Sequence, residues 1–436
     1  MPQQTDPRVF FPVETTGREL SAHILLGTRL ASRGVCAVVG HLGPVKRLVQ
    51  SSPTTGIVFY KGDARLNLFG RSDFSYIGQD PETGITLKHF ADHVARRPKI
   101  FQNLDTTSAY FAFGDHDYSF LTTHFPHLQH KIHRTGTPRA TLWGPLGHQF
   151  YQDDVAAIHT QYGEFCLAVS RGGRSDRHDR HQNADRRTQV EITAANLLRK
   201  AQELREATGL PVVIRPHPSE SWRGWKRAVR DAAGIFVETC FDLSAWIRAA
   251  QVVVQAPTST ASFEAWLAKT PAIISEPPEP HVGKDGSRAE FVAHELCVSH
   301  SVWSPTFDFA AMLREYEELR TSSKANSLVR EKLYLAGSDV TVLMAEVIET
   351  LIDETRSSTI RAAARVSAIE RFRMHSLART LHQERLGRRM SPPHKRWALS
   401  PKRIDLLVRR AGRIIGVGDE VKASWLMPNC FVIERK

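Results

Sequence analysis

Short runs with both faces apolar alternate with stretches of helical period along most of the chain. Val9 to Val13 is such a run; Leu20, Ile24, Leu25, Leu30 and Ala31 then recur at helical spacing from Arg18 to Ser32, Gly34 follows as a cap, and Cys36 to Gly40 is apolar again. This reads as strand, helix, strand. The same order restarts in the second half. Phe165 to Ser170 predicts a strand, Thr188 to Thr208 a long helix and Pro211 to Arg215 a β-branched strand. Then come a helix near Trp222 to Ala233, strands at Ile235 to Val237 and Val252 to Gln255, a helix at Ala261 to Ala268 and a strand at Ala272 to Ser275. Strands alternating with helices imply parallel sheets covered on both faces, an α/β chain. The two halves meet between 140 and 163, and helices over Phe307 to Leu319 and Asn326 to Glu354 finish the body. The expected domains are 1–150, 151–355 and a tail, 356–436.

Composition narrows the class. At 436 residues, 41% hydrophobic and 24% charged, the chain is of globular type with room for two or three domains. Five widely spaced cysteines (Cys36, Cys166, Cys240, Cys297, Cys430) form no C-x-x-C pair, which argues against a zinc ribbon or a disulfide framework and for a reducing compartment. The opening residues lack signal-peptide order and no apolar run is long enough to span a bilayer, so the expected location is cytoplasmic.

The charge is uneven. Residues 356–436 hold 19 Lys and Arg against 6 Asp and Glu, whereas the other 355 residues hold 39 against 40. A near-neutral body with a basic amphipathic tail (Ile360, Val366, Ile369, Phe372, Leu377, Leu381, then Trp397, Leu406, Leu407) suits an anionic membrane surface. The other reading is that part of the tail packs back on the first domain or binds a partner. A noncatalytic nucleic-acid binder using the tail is a third class; the tail has few aromatics and no recognition module, so no nucleic acid is expected as partner.

Two strand ends carry candidate chemistry. Arg215-Pro216-His217-Pro218 follows Val212 to Ile214 and places a cation and an imidazole where open α/β sheets bind ligands. The prolines restrict the backbone there. A rigid turn with a surface His is the plain alternative. Thr258, Ser259 and Thr260 follow Val252 to Val254 and open a helix that carries Glu264, so hydroxyls and unpaired backbone N–H groups meet where an anion could bind; ordinary capping is the plain alternative. In the first half, Asp80 and Glu82 in D-P-E-T-G could supply a base or nucleophile, although such turns are common. Glu14, Arg18 and Glu19 could line the acceptor side of the same crevice or form a helix-start ion cluster. Asp115-His116-Asp117 has the D-x-D form of a metal-nucleotide motif, but such a triplet is expected by chance in a chain this long, and the His124, His127, His130, His133 series is interrupted by Pro126 with no carboxylate or Cys to complete a set, so no metal is expected.

Taken together, F-P-V-E-T-T-G-R-E-L (11–20), the acidic turn, F-A-F-G (111–114), T-G-T-P-R (135–139), R-P-H-P-S-E (215–220) and T-S-T-A-S-F-E-A with Thr270-Pro271 resemble the bacterial surface carbohydrate biosynthesis proteins, glycosyltransferases of GT-B type. The resemblance implies a GT-B-like fold of two Rossmann-like domains facing a cleft, here with a basic helical C-terminal extension. It also implies a nucleotide-sugar donor, a glycan or lipid-linked acceptor at the inner membrane face, and no cofactor. By similarity to CMP-sugar transferases of the β-Kdo and sialic-acid types, His217 and Thr258 to Thr260 would hold phosphate and Glu264 the ribose; Arg215 and Pro218 belong to the same loop. Two departures stand out: Pro81 and Thr83 interrupt the acidic run, and Gly-Thr-Pro-Arg-Ala lacks the usual carboxylate. The nearest rival is a polyol-phosphate transferase of the CDP-glycerol kind, with a nucleotide-sugar epimerase behind it.

Overall fold

The computed structural model describes residues 8–436 apart from 53–54, 63–67, 81–83, 97–100, 102–103, 171–183, 219, 221, 257–258, 275–280, 283–287, 299–307 and 358–398. The first half runs β1 (Arg8–Val13), α1 (Ser21–Ser32), β2 (Ala37–His41), α2 (Leu42–Ser51), β3 (Gly56–Lys61), β4 (Ser75–Gln79), α3 (Phe90–Arg96), β5 (Ala109–Ala112), α4 (Asp115–His124), β6 (Ile132–Arg134), α5 (Pro138–Trp143) and α6 (Pro145–Tyr162). The second runs β7 (Cys166–Val169), α7 (Ala184–Thr208), β8 (Val212–Arg215), α8 (Trp222–Ala228), β9 (Ile235–Val237), α9 (Leu243–Ala249), β10 (Val252–Gln255), α10 (Ala261–Ala268) and β11 (Ala272–Ile274). A short hairpin, β12 (His281–Val282) and β13 (Arg288–Ala289), precedes α11 (Phe309–Thr321), α12 (Ser323–Lys332) and α13 (Thr341–Ser357). After residue 398 come α14 (Pro401–Ile414), β14 (Val421–Met427) and β15 (Cys430–Arg435).

Val, Ile and Phe on both faces of the central strands leave no side for water, so each sheet is sandwiched by helices. The second sheet, ordered β11-β10-β7-β8-β9, is parallel throughout, and its order reverses between β7 and β10. The first, ordered β14-β15-β2-β1-β3-β4-β5-β6, is parallel from β2 to β6. Both orders are doubly wound, and ligands gather beyond the strand ends at the reversal. The long helix α6 joins the halves; its Phe150 and Ile158 share one apolar cluster with Leu25 and Leu26 of α1 and Trp246 of α9.

Two expectations change. The helical pattern over 326–354 divides into α12 and α13, because Leu335 (φ 50) and Gly337 (φ 83) turn the chain between them. Gly337 lies so close to Gly144 that a Cβ on Gly144 would meet its Cα at 2.4 Å.

The second change concerns the tail. Residues 356–436 do not form one amphipathic extension, since 399–436 belong to the first domain. β15 pairs antiparallel with β2, and Ile404, Leu407, Val408 and Ala411 of α14 enter the shared core. Arg410, buried, lies 2.9 Å from Asp154 and 3.3 Å from Asp153 on α6. The apolar stripe of α14 found a protein surface to cover before any bilayer. Residues 358–398, with Phe372, Leu377 and Trp397, lie outside the described residues.

Candidate functional site

The ends of β7, β8 and β10, where the second sheet reverses order, open onto a cavity of about 330 Å³. Val169 and Ser170, Arg215 to Pro218, and Ser259, Thr260 and Glu264 line it from the second domain; Thr15, Gly17, Arg18, Ser21 and Arg139 line it from the first. Six of the seven residues named for the nucleotide therefore meet in one place. The seventh, Thr258, lies outside the described residues.

The loop after β8 is fixed by Glu220. Its buried carboxylate accepts from the His217 backbone N–H at 2.9 Å, from Trp225 Nε1 at 2.8 Å and from Ser170 Oγ at 2.7 Å, and its own N–H donates to the His217 carbonyl. Three donors on one anion, together with two prolines, hold this loop rigid at the cavity mouth. Arg215 donates through Nη2 to the Phe241 carbonyl at 3.0 Å and stacks over Trp246, 5.6 Å from the ring centre. Its buried Nη1 has no hydrogen-bond partner among the described residues. Burial draws this guanidinium down to about 10, against the pull of Cys240, Asp242 and Glu238. A buried donor with no acceptor costs about 1–3 kcal/mol, which an anion in the cavity would recover.

At the start of α10, Ser259, one residue before the N-cap Thr260, accepts through Oγ from the Ala261 N–H at 3.2 Å, and both residues line the cavity. Glu264 is buried and accepts from Ser244 Oγ. Burial raises its pKa, opposed by Arg139, Ser244 and Arg248. Arg139, half-buried over Trp143, is drawn down to about 10 by burial and by Arg18, while Glu264 and Glu19 hold it up.

The acceptor-side residues separate. Arg18 sits on a π-helical turn, Thr16–Leu20, lines the main cavity and pairs with Glu19 at 2.6 Å. Such turns recur at functional sites. Glu19, buried, also accepts from the N–H groups of Glu14 (2.8 Å) and Thr15 (3.3 Å). Burial raises its pKa, but Arg18, His23 and these hydrogen bonds lower it overall. It lines a second, smaller cavity of about 30 Å³ with His23, Lys61, Gln79 and Arg139. Glu14 lines neither cavity and binds Tyr60 and Lys61.

The acidic turn needs correction. Asp80 is buried, 3.0 Å from His93 Nε2, and lines neither cavity, so it is not placed to receive a proton there. It follows β4, two strands from β1, whose end leads into the cavity-lining Thr15 and Arg18, and it faces His93 of α3 instead. Glu82 lies outside the described residues. The carboxylates that do line the main cavity are Asp242 and Glu264. Sequence reading missed Asp242, Ser244, Tyr151 and Ser21, which carry no motif; Arg139 had a signal in T-G-T-P-R but was given no role. Among the described residues no group of three or more His, Cys, Asp or Glu could hold a metal ion, and no helix is long and apolar enough to cross a membrane.

No protein family's sequence profile matches the chain, and no curated protein matches it. Solved structures do. A variant of the wall teichoic acid polymerase TagF aligns with TM-score 0.50 at 10% identity, over 81% of this chain and 90% of that one. UDP-N-acetylglucosamine 2-epimerase from Rickettsia bellii aligns with TM-score 0.46 at 12% identity, over 81% and 97%. The UDP-GlcNAc 2-epimerase of Methanocaldococcus jannaschii gives TM-score 0.47 at 12%, over 78% and 99%. At such identities likeness speaks to architecture alone. With two doubly wound sheets meeting at one cavity, the chain has a two-domain, Rossmann-like GT-B fold.

Proposed function

We propose that the cavity binds a nucleotide-activated donor and that the protein is a nucleotide-sugar-dependent glycosyltransferase. It would move a sugar, Kdo or a related acid sugar from a CMP donor, onto a bacterial surface glycan or lipid-linked acceptor. The observation that carries this reading is Arg215: a buried guanidinium whose Nη1 has no partner among the described residues, at the strand reversal where open α/β sheets bind ligands, beside His217 and Arg139. As the bond from sugar to phosphate breaks, negative charge grows on the leaving phosphate. Preorganised cations in a cavity shielded from water stabilise that charge without reorganising. Glu264, held by Ser244 in the cavity wall, would accept from ribose hydroxyls.

Two measurements test this. Melting shifts with CMP, CDP, UDP and GDP should show stabilisation by at least one nucleotide, since a ligand at about 100 times its Kd adds about 2.7 kcal/mol to the native state. The His217→Ala variant should lose about 2–3 kcal/mol of transition-state stabilisation, the scale of one oxyanion donor. Unchanged turnover in that variant would remove its role.

The fold match to TagF favours one rival, a polyol-phosphate transferase of the CDP-glycerol kind. The same cationic cavity would serve it. The mass added to the acceptor, a sugar or a polyol phosphate, separates the two. Peripheral contact with the cytoplasmic membrane face through 356–436 belongs to the proposal as well.

A further inference from the structure

The C-terminal helix reaches the wall of the main cavity through one side chain. Arg403 Nη2 of α14 lies 3.3 Å from Asp242 Oδ1, and Asp242 is a buried lining residue of the second domain. Its other oxygen accepts from Ser21 Oγ of the first domain and, at 3.4 Å, from Tyr151 Oη on the connecting helix. The residue before it, Phe241, is held left-handed at φ 56 and gives its carbonyl to Arg215. Strain of this kind persists where surrounding contacts over-determine the backbone.

The charges explain what this node does. The cavity is lined by Arg18, Arg139 and Arg215, a set suited to an anion, yet Asp242 stands in the same wall. Ser21 and Tyr151 satisfy lone pairs on Asp242 but cancel no charge, and Arg215, which feels this carboxylate, makes no ion pair with it within 4 Å among the described residues. Arg403 brings a full positive charge to within ion-pair distance of it from outside the cavity, since Arg403 is not among the lining residues. At low local dielectric an uncompensated carboxylate would repel a phosphate over several ångströms.

We propose that Arg403 is a positioning residue for the cavity: it masks the charge of Asp242 and holds that carboxylate against Ser21 and Tyr151, so that the site admits a phosphorylated ligand. The C-terminal segment is then part of the binding machinery although it touches no ligand. The proposal rests on the nucleotide reading above.

Calorimetric titration of the full chain with inorganic pyrophosphate tests it. Arg403→Met should bind about tenfold more weakly, the effect expected of one unscreened charge near a multivalent anion. Arg403→Lys should stay within about threefold of wild type because the charge is kept. The double variant R403M/D242N should return to within about twofold, since removing the carboxylate removes the need for its mask. A purely structural role for the node would leave the double variant as weak as R403M, and that result would overturn the proposal, as would wild-type affinity in R403M. Asp242→Asn alone should bind at least as tightly as wild type, which keeps the test open if R403M does not fold; weaker binding there counts against the proposal. Arg409→Met, on the exposed side of α14, is the control and should match wild type. If the wild-type chain binds neither pyrophosphate nor any nucleotide, the nucleotide reading fails and this proposal fails with it; binding that is indifferent to Arg403 defeats the proposal alone.

Discussion

Glu220 shows how much a single residue decides at the site. It belongs to R-P-H-P-S-E, but its partners, Ser170 and Trp225, come from β7's end and α8, so its task could not be read from spacing. Glu220→Leu leaves three donors without an acceptor and should lower the unfolding free energy by about 3 kcal/mol or more. Glu220→Gln should cost only about 1 kcal/mol, because the Ser170 hydroxyl can turn and accept from the new amide. Urea denaturation of both checks this, and equal costs would contradict the account. Asp117 closes the D-x-D triplet that opens at Asp115. Its carboxylate accepts the N–H groups of Phe113 (2.8 Å) and Gly114 (2.9 Å) at the start of α4, which is capping.

Lys332 supplies a pH signature. It is buried and donates to the carbonyls of Leu87 and Lys88 at 2.8 and 2.9 Å. Burial draws its ammonium down to about 7, against Glu331 and Asp117. The unfolded chain keeps that proton to about pH 10.4, so between about 7 and 10 the unfolded state binds more protons and stability rises with pH. The rise is at most about 1.4 kcal/mol per pH unit for one proton, and it should flatten in Lys332→Met when denaturation is repeated across that range. An unchanged slope would show that Lys332 does not carry it.

Among the elements, the C-terminal hairpin departs furthest from its sequence reading. Its seat on β2 depends on Gly40 opposite Cys430, where a Cβ would lie 2.6 Å from the Asn429 carbonyl oxygen and 2.8 Å from the Cys430 Cα. Both obstacles are backbone and cannot rotate away. Gly40→Ala should therefore cost about 1–3 kcal/mol and speed amide exchange in β15 more than in β3. Uniform exchange across the sheet would mean that the hairpin does not depend on this contact.

For the whole molecule, this hairpin changes how membrane contact must be tested. Ending the chain at Glu354 would strip two strands and α14 from the first domain, so loss of binding there would report unfolding. From Leu399 to Lys436 there are eight Lys and Arg against four acids, and Arg403 and Arg410 are engaged inside; 356–398 carry eleven against two. Replacing Arg385, Arg388, Arg389 and Arg396 by Glu should abolish flotation with anionic vesicles, since each basic residue near the surface contributes about 1 kcal/mol. Flotation as efficient as wild type would refute the membrane reading.

The sequence by itself determined the α/β alternation, the opening strand, helix and strand of the first half, most of the order of elements in the second, and the two loops that meet at the cavity. These are local: apolar period, proline, glycine and helix starts act over a few residues, and a strand end in a parallel sheet already points toward the crevice. Arg215, His217, Ser259 and Glu264 were legible for that reason. Only the tertiary structure decided that Asp80 is buried with His93, that Asp242 and Arg139 belong to the site, and that 399–436 complete the first sheet. Those outcomes depend on which distant surfaces meet. An amphipathic basic helix has the same pattern whether its apolar stripe covers lipid or α1, and a carboxylate has the same letter whether water or a buried imidazole faces it.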